Sequence, residues 1–411
     1  MRRPVALSRS LLLIACITAT ACTSQDMAAV LGVDLGPSSA GVTFYRDVLP
    51  LAQQHCTSCH YPGGIGPFSM LTYEDAQPHA QVIGEYVKTG QMPPWKPADG
   101  CRSIRDTRKL TTAEIATFTD WVAASAPAGS VADAPPPTSA LTGLPVVSAS
   151  MKMSAAFTPP SAETDHYQCF ILDPKLATDV DLIGYDVHPG AAAEVHHVLL
   201  YPAAQADAQA LDDASPDEVG WTCFGGPGTP SPRTVGGWVP GSSAVRFPTD
   251  TGIQLTAGQV FVMQIHYNLS YTKAIPDQTG LDLQFSPSPV KTHAQVVPLL
   301  NATFSIPRGT VNQAVNAQWK ALKPVTVWGA LPHAHTNAQK MHVESDAGCL
   351  VDIPAWDFHW QQMYFFEQPQ VVAKGQALRL TCTYDNPGAA PLTWGEKTSD
   401  EMCLNYFYVT Q

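Results

Sequence analysis

The sequence has few charged residues, and positively charged ones are the scarcer kind. Lys and Arg number 23 against 35 Asp and Glu, so that the formal net charge is −12, and charged residues make up only 14% of the 411 residues. Binding to a phosphate backbone requires a basic surface. We therefore expect no nucleic acid partner.

The sequence also lacks long periodic apolar stretches and any repeat of fixed period. Its 36 prolines and 29 glycines favour short strands joined by turns over helical bundles. Hydrophobic residues still make up 45% of the chain, enough to form buried cores. The length suits roughly two to four domains of ordinary size.

The N-terminal apolar run, residues 11–17, is too short to span a bilayer as a stable helix, but it has the features of an export signal. Arg2 and Arg3 supply the positive charge before it, and small residues follow. We expect residues 1–21 to be a signal peptide and residues 22–42 to be a tether.

Two kinds of processing site fit the sequence Ala19-Thr20-Ala21-Cys22. In a bacterial lipobox, Cys22 would be acylated and would anchor the protein to a membrane. An ordinary signal peptidase would cleave the same stretch without adding a lipid. Either way, we expect an exported protein of the cell envelope, in the periplasm or associated with the outer membrane.

Export would place the ten cysteines in an oxidising compartment, where disulfides persist. Cys16 and Cys22 belong to the signal region, and two more belong to a motif described below. The six others are candidates for disulfides: Cys101, Cys169, Cys223, Cys349, Cys382 and Cys403.

Composition divides the rest of the chain into four zones. Residues 43–127 carry helical patterns, and residues 128–147 form a linker rich in Pro and Ala. From residue 148 onward, short β-branched or aromatic runs are separated by Gly, Pro, Asn and Asp, which predicts strands. The run Ser286-Pro287-Ser288-Pro289 marks a boundary between two strand-rich domains, 148–288 and 289–411.

The sequence Cys56-Thr57-Ser58-Cys59-His60 has the spacing of a c-type haem attachment site. The two thiols stand one helical turn apart, so both can bond to the edge of one haem, and His60 can then bind the iron. A redox disulfide or half of a zinc site fits less well, because no second Cys pair has zinc spacing. The motif therefore predicts one covalently bound haem c.

The second axial ligand of that haem is expected downstream. Met92 is the preferred candidate, because the prolines beside it stiffen the loop that would hold its thioether on the iron. Met70 and His79 are the alternatives. Thr111 and Glu114 fit a capping box at the start of a closing helix, and the whole zone predicts a small all-α, cytochrome c-like domain.

Five further histidines lie in three strand-like places. His196 and His197 are adjacent, His266 lies in a second run, and His333 and His335 are separated by one residue. Alternate residues of a strand face the same way, so His333 and His335 can bind one metal ion together. Adjacent residues need a bulge or a strand end to do so. Imidazoles suit copper, zinc, iron or nickel, so these residues alone do not assign the metal.

Four motifs resemble, in their order along the chain, those of the copper type II, ascorbate-dependent monooxygenases. That family includes peptidylglycine α-hydroxylating monooxygenase and dopamine β-monooxygenase. The resemblance extends from about Ser148 to the C-terminus, and with the Cys-x-x-Cys-His module in front the chain is similar to a bacterial branch of the family. The motifs are residues 195–200, 264–267, 333–335 and 398–403.

The resemblance implies two all-β, jelly-roll-type sandwich domains with two copper ions. His196, His197 and His266 would hold an electron-relay copper on the first domain. A second set, His333, His335 and Met402, would hold the copper that activates O2 and abstracts hydrogen from a substrate C–H bond. A thioether ligand suits that site because a soft donor stabilises Cu(I).

The family arrangement also suggests a disulfide between Cys382 and Cys403, next to Met402. Cys169 and Cys223 are expected to form a second bridge. Cys101 and Cys349 have no assigned partner.

The sequence departs from the peptide-hydroxylating branch at two positions. Leu331 stands where that branch has an arginine that helps to anchor the substrate carboxylate, and Leu404 stands where it has an asparagine. A tyrosine four residues after Met402 is retained as Tyr406, a candidate catalytic residue. Without the arginine we expect a more apolar or neutral small molecule as substrate, and not a glycine-extended peptide.

These features predict an exported copper monooxygenase that hydroxylates a C–H bond of a small molecule with O2. Its haem would pass electrons to the His196, His197 and His266 copper and would receive them from an external donor. One alternative is a non-catalytic haem and copper electron-transfer or copper-handling protein, which would form no hydroxylated product. The other is a structural or sensory envelope lipoprotein, which would contain no copper.

Overall fold

The computed structural model describes residues 41–62, 64–136, 143–270 and 273–411. The predicted signal peptide, Cys22, most of the tether and the middle of the linker lie outside these residues, so their assignment stays a prediction. Within the described ranges, no helix is long and apolar enough to cross a membrane. Residues 43–411 form one compact unit.

Ten strands lie between residues 149 and 285, each bounded by the turn residues that the sequence shows. They are β1 (Ala149–Lys152), β2 (Asp165–Leu172), β3 (Val180–His188), β4 (Val195–Ala204), β5 (Trp221–Thr222), β6 (Gly236–Trp238), β7 (Val245–Arg246), β8 (Thr251–Leu255), β9 (Gln259–Asn268) and β10 (Gly280–Phe285).

Ten more strands lie between residue 292 and the C-terminus. They are β11 (Thr292–Asn301), β12 (Ser305–Ile306), β13 (Gln313–Lys320), β14 (Val325–His333), β15 (Ala338–Ser345), β16 (Gly348–Ile353), β17 (Tyr364–Val372), β18 (Ala377–Tyr384), β19 (Leu392–Thr393) and β20 (Cys403–Thr410).

The strands form two sandwiches that share one long sheet. That sheet has the order β1-β10-β3-β8-β11-β20-β14-β17, with β7 also paired to β3. Its first part packs against the sheet β5-β2-β9-β4-β6, and the core between them includes Leu182, Val198 and Ile265. Its second part packs against the sheet β13-β18-β15-β16 around Val327 and Leu380. Alternate strand residues face these cores, as the period of two requires.

Helices are short and lie mainly before residue 124. The longest has 12 residues and begins with the predicted capping box, in which Thr111 Oγ1 accepts from Glu114 N and the Glu114 carboxylate accepts from Thr111 N at 2.7 Å. The α-helices are α1 (Leu49–His55), α2 (Tyr73–Ala76), α3 (Ala80–Lys88), α4 (Thr112–Ala123) and α5 (Gln205–Asp213). Shorter turns of other helix types are Phe44–Val48, Gln77–His79 and Val131–Asp133.

The expected fold class is wrong in its first part, because the described chain contains no sizeable all-α, cytochrome c-like domain. The protein is mostly β, with 37% strand and 14% helix. The helices before residue 124 do share a small apolar core, in which the ring centroids of Phe44 and Trp121 lie 5.8 Å apart. However, the stretch between α3 and α4 is extended and pairs with the second sandwich, so it does not close a helical domain.

Residues 95–108, called the arm below, cover the free edge of β17. Ile104 forms a β-bridge with Phe366, Arg105 N donates to Phe365 O at 2.8 Å, and Glu367 N donates to Ser103 O at 2.9 Å. β17 is the last strand of its sheet, and unpaired edge groups need a partner. The arm supplies that partner. Because the arm pairs with β17, the helices on either side of it do not form a separate helical domain.

Three disulfides form, which suits an oxidising, exported environment. The predicted bridges Cys169–Cys223 and Cys382–Cys403 are confirmed. The third, Cys101–Cys349, joins the arm to β16 and pairs the two cysteines that the sequence had left unassigned. Among the described cysteines, Cys56 and Cys59 are free.

Candidate metal centre

Three histidines of the first sandwich converge where β4 and β9 pair. His197 lies opposite His266 across the two strands. Nδ1 of His197 lies 3.3 Å from Nδ1 of His196 and 3.4 Å from Nδ1 of His266. One ligand atom from each residue lies within 4.8 Å of the others, a spacing that one metal ion can bridge.

An irregularity in β4 allows its two adjacent histidines to share this site. The pairing register shifts between Val195 and His197. Val195 and Val198 both pack into the core of the first sandwich, so both residues between them lie outside it. This is the bulge that adjacent ligands require.

Asp165 holds His266 in one tautomer, because Asp165 Oδ1 lies 2.9 Å from His266 Nε2. Burial alone would raise the pKa of Asp165, but hydrogen bonds from His266 and Thr398 lower it to about 2. An ionised carboxylate only accepts hydrogen bonds, so Nε2 carries the proton and the Nδ1 lone pair faces the other two histidines.

His333, His335 and Met402 of the second sandwich line one cavity. His333 ends β14, and the ring centroids of His333 and His335 lie 5.5 Å apart. Met402 is buried directly before β20, and the neighbouring Cys382–Cys403 disulfide fixes the start of that strand. The start of β20 therefore places Met402 at the same cavity as His333 and His335, from which it is distant in the sequence.

Hydrogen bonds also determine the tautomers of His333 and His335. Gln361 donates through Nε2 to Phe358 O at 2.7 Å, so its Oε1 must accept from His333 Nδ1, at 2.7 Å. His335 Nδ1 donates to the carbonyl of Asp400 at 3.1 Å. In both residues Nε2 is left as the atom with a free lone pair.

Burial favours the neutral form of all five imidazoles. It lowers the pKa of His333 to about 3 and that of His335 to about 4. It also holds the pKa of His196 and His197 well below 6.5 and lowers that of His266. Neutral imidazoles are metal ligands, and a thioether beside them favours Cu(I). The residues present therefore fit copper.

The two ligand sets meet at one cavity of about 780 Å³. His197 lines it together with His333, His335 and Met402. Leu331 and Leu404 also line it, so the cavity wall is apolar at the two positions where the sequence departs from the peptide-hydroxylating branch.

Tyr406 lies on the same wall. Burial raises the pKa of Tyr406 to about 12, so its phenol keeps its proton at neutral pH.

A second cavity, of about 750 Å³, contains the Cys-x-x-Cys-His motif. Cys56, Cys59 and His60 line it, and burial raises the pKa of the Cys56 thiol to about 12. His60 Nδ1 donates to Phe68 O at 2.9 Å, which leaves Nε2 as the ligand atom. Burial lowers the pKa of His60 as well.

The three candidates for a second axial ligand differ in position. Met92 and Met70 both line the second cavity. His79 does not line it and stacks on Phe68 instead, with 4.0 Å between ring centroids. The position of His79 therefore weighs against that alternative.

The adjacent residues His196 and His197 line different cavities. His196 lines the cavity of the Cys-x-x-Cys-His motif, whereas His197 lines the other one. Phe358 stacks on His196 with 4.3 Å between ring centroids and also lines the motif cavity. His196 Nε2 is buried and has no hydrogen-bond partner among the described residues.

Sequence reasoning missed the residues that hold the ligands in place. Asp165, Gln361 and Phe358 contact candidate ligands directly, and residues of the arm line the first cavity. The sequence offered one partial signal, the aromatic-rich stretch at 356–366 that contains Phe358.

Comparison with known proteins gives one family match. The model of the copper type II ascorbate-dependent monooxygenase, C-terminal domain, matches residues 295–410. This stretch contains His333, His335 and Met402.

Likeness to solved structures is slight. Dimeric latent PorU from Porphyromonas gingivalis is 9% identical, with a TM-score of 0.18 over 60% of this chain and 24% of that chain. The VP2 subviral particle of infectious bursal disease virus is 9% identical, with a TM-score of 0.17 over 64% and 70%. This chain thus spans about a quarter of the PorU chain, and neither likeness bears on function. Residues 295–410 therefore match the C-terminal domain of the copper type II, ascorbate-dependent monooxygenase family.

Proposed function

We propose that the protein is an exported monooxygenase that uses O2 and two copper ions to hydroxylate a C–H bond of a small molecule. The observation that carries the proposal is the meeting of both ligand sets at one cavity, with His197 on one side and His333, His335 and Met402 on the other. Copper bound there would supply one-electron chemistry and activate O2.

The side chains around that cavity provide the ligands that copper chemistry requires. Their burial keeps the imidazoles unprotonated, so lone pairs are available at neutral pH. His196, His197 and His266 offer nitrogen ligands alone, whereas Met402 adds a soft donor to the second set. We infer that the first set relays electrons and that the second set faces O2 and the substrate.

The walls of the cavity bear on the substrate class. Leu331 and Leu404 present aliphatic surface where a carboxylate-binding group would otherwise stand. A substrate carboxylate next to Leu331 would lose hydration without gaining a partner there. We infer a more apolar or neutral small molecule. Amidation of a glycine-extended peptide by the purified protein would contradict this part of the proposal.

We propose further that the second cavity holds one haem c, attached through Cys56 and Cys59. The residues present fit that group, because both thiols are free and Nε2 of His60 is left unprotonated. Ile65, Val82 and Tyr86 line the cavity and are more than 40% exposed, which is apolar surface that a macrocycle would cover. His60 and Met92, which line the cavity, would be the side chains that bind its iron.

A haem on the same chain would be a one-electron donor at high effective concentration. His196 and its stacked Phe358 line the haem cavity and also contact His197 and His335, so the electron would pass through these two rings. An external donor would reduce the haem from outside. Lipidation of Cys22 would keep the protein at a membrane.

The decisive experiment measures copper and haem in purified protein and then O2 uptake against a panel of small molecules. We expect two copper ions, one haem and substrate-stimulated O2 uptake with a hydroxylated product. Met402→Ala should abolish the uptake while haem content stays the same. Metal binding without any product would favour a protein that only relays electrons or handles copper.

A matched experiment tests the haem. Expression with a cytochrome c maturation system should give covalent haem in the wild-type protein and none in Cys56→Ala/Cys59→Ala. Copper content should be the same in both. Haem reduced in intact, copper-loaded protein should then be reoxidised by O2; haem that stays reduced would count against electron transfer to copper.

A further inference from the structure

Asp165 lies between His266 and the chain segment that carries Met402. Its Oδ1 accepts hydrogen bonds from His266 Nε2 at 2.9 Å, Asn268 Nδ2 at 3.0 Å and Thr398 Oγ1 at 2.6 Å. The Asp165 side chain is 13% exposed, so water competes little for these contacts. One carboxylate oxygen thus touches both a candidate ligand and residue 398.

Residues 398–402 in turn touch the second ligand set. The carbonyl of Asp400 accepts from His335 Nδ1 at 3.1 Å, and the Glu401 carboxylate accepts from His335 N at 3.0 Å. Met402 ends the segment and is itself a candidate ligand. Asp165 therefore connects the two sets through one short piece of chain.

Tyr167, two residues after Asp165 on β2, repeats the connection. Its ring stacks on His266 with 4.3 Å between centroids and 3° between planes. Its hydroxyl donates to Glu396 O at 2.8 Å, close to the start of the same segment. Side chains at i and i+2 of a strand share a face, so β2 supports His266 at two points.

We propose that Asp165 is a positioning residue with two tasks. It fixes the His266 tautomer that offers Nδ1 to copper, and through Thr398 it holds residues 398–402 so that Met402 and His335 keep their place in the second set. This inference rests on the proposed copper sites.

The test measures Cu(I) affinity by competition with a chromophoric chelator in proteins that retain one set each. His333→Ala/His335→Ala retains the first set, and His196→Ala/His197→Ala retains the second. In the His333→Ala/His335→Ala protein, called the first background, Asp165→Asn should weaken copper binding about 10- to 100-fold. This is the usual effect of losing a group that orients a metal ligand. The His196→Ala/His197→Ala protein is the second background. Asp165→Glu, which keeps a carboxylate, should recover part of that loss.

Thr398→Val separates the two tasks, because it removes the hydroxyl and keeps the size of the side chain. It should leave copper affinity of the first set unchanged, since the bond from Asp165 to His266 remains. In the second background it should weaken copper binding and alter the sulfur contribution to the copper X-ray absorption spectrum. A loss of folded structure alone would change both backgrounds equally.

The outcomes are distinguishable from those of the proposed function. If the double variants that retain one set each bind copper, and Asp165→Asn leaves their copper affinity unchanged, this inference alone is overturned. Equal weakening of both sets by Thr398→Val would also overturn it. Double variants that bind no copper would overturn the proposed copper sites and this inference with them.

Discussion

The imidazole rings of His197 and His333 meet edge to face, with 6.1 Å between their centroids and 81° between their planes. His197 belongs to the first sandwich and His333 to the second. Because these rings adjoin, the two ligand sets form one continuous group of five imidazoles at the boundary of the sandwiches. Copper ions held there would face a common interior space.

Copper content tests whether the group contains two sites. His197→Ala and His333→Ala should each lower the copper content by roughly one ion per chain, because each removes a ligand from a different set. Elemental analysis of purified variants measures this. His342→Ala is the matched control, since His342 bonds to Asp352 at 2.9 Å on the outer sheet of the second sandwich and should retain all copper. Loss of all copper in either single variant would instead indicate one shared site.

Gln361 offers a test of ligand orientation in the second set. Gln361→Leu removes the acceptor for His333 Nδ1 and should weaken Cu(I) binding at that set about 10- to 100-fold, as measured by chelator competition. The neighbouring Gln362→Leu is the control, because Gln362 bonds to Arg108 and not to His333. Equal effects of both substitutions would contradict the assigned role of Gln361.

The Cys101–Cys349 disulfide should stabilise the arm and the whole fold. It closes a loop with a sequence separation of 248 residues, so Cys101→Ser/Cys349→Ser should lower the free energy of unfolding by about 2–5 kcal/mol. Urea unfolding measures that change, and hydrogen exchange in residues 95–108 should accelerate. Non-reducing peptide mapping should show that the other two disulfides remain. Unchanged exchange in the arm would contradict its attachment through this bridge.

Asp186 should make stability depend on pH. It lies directly opposite Asp282 across β3 and β10, and burial, together with the charge of Asp282, raises the pKa of Asp186 to about 6. A folded-state pKa above the ordinary value of 3.8 means that stability falls as the pH rises through about 6.

Asp186→Asn should therefore stabilise the protein at pH 8, by about 1–2 kcal/mol, and have little effect at pH 4. Thermal unfolding at both pH values measures the difference. Asp120→Asn, the same substitution at an exposed position of α4, is the control. A benefit of Asp186→Asn that is equal at both pH values would disprove the titration of Asp186 as its cause.

The sequence predicted residue groups where local geometry determines them. His333 ends β14 and His335 follows it by two residues, so the chain itself keeps the two close, and the capping box at Thr111 depends on only four residues. The adjacent pair His196 and His197 required a bulge, and the register shift in β4 provides it. Of the three disulfides, two were predicted, and Cys101–Cys349 joins two cysteines that had no assigned partner.

What the sequence did not predict depends on contacts between distant segments. The helical patterns before residue 124 do correspond to helices. Whether those helices form a separate domain depends on where the chain between them pairs. That chain covers the edge of β17, more than 250 residues away, and no local pattern encodes such a partner. The supports of the ligands, Asp165 and Gln361, were missed for the same reason: each is an ordinary polar residue until the fold brings it to a histidine.

The pairing of β8 with β11 has a consequence for turnover. The two strands join the sandwiches through Thr251 and Thr292 at the centre of the long sheet, and the Thr251 hydroxyl lies 3.0 Å from that of Tyr408. A hinge motion between the halves would leave these buried groups unsatisfied, at a cost of about 1–3 kcal/mol for each. For the proposed oxygenase we therefore expect the distance between the two candidate ligand sets to stay nearly constant, with substrate admitted by local movements and not by the opening of a cleft.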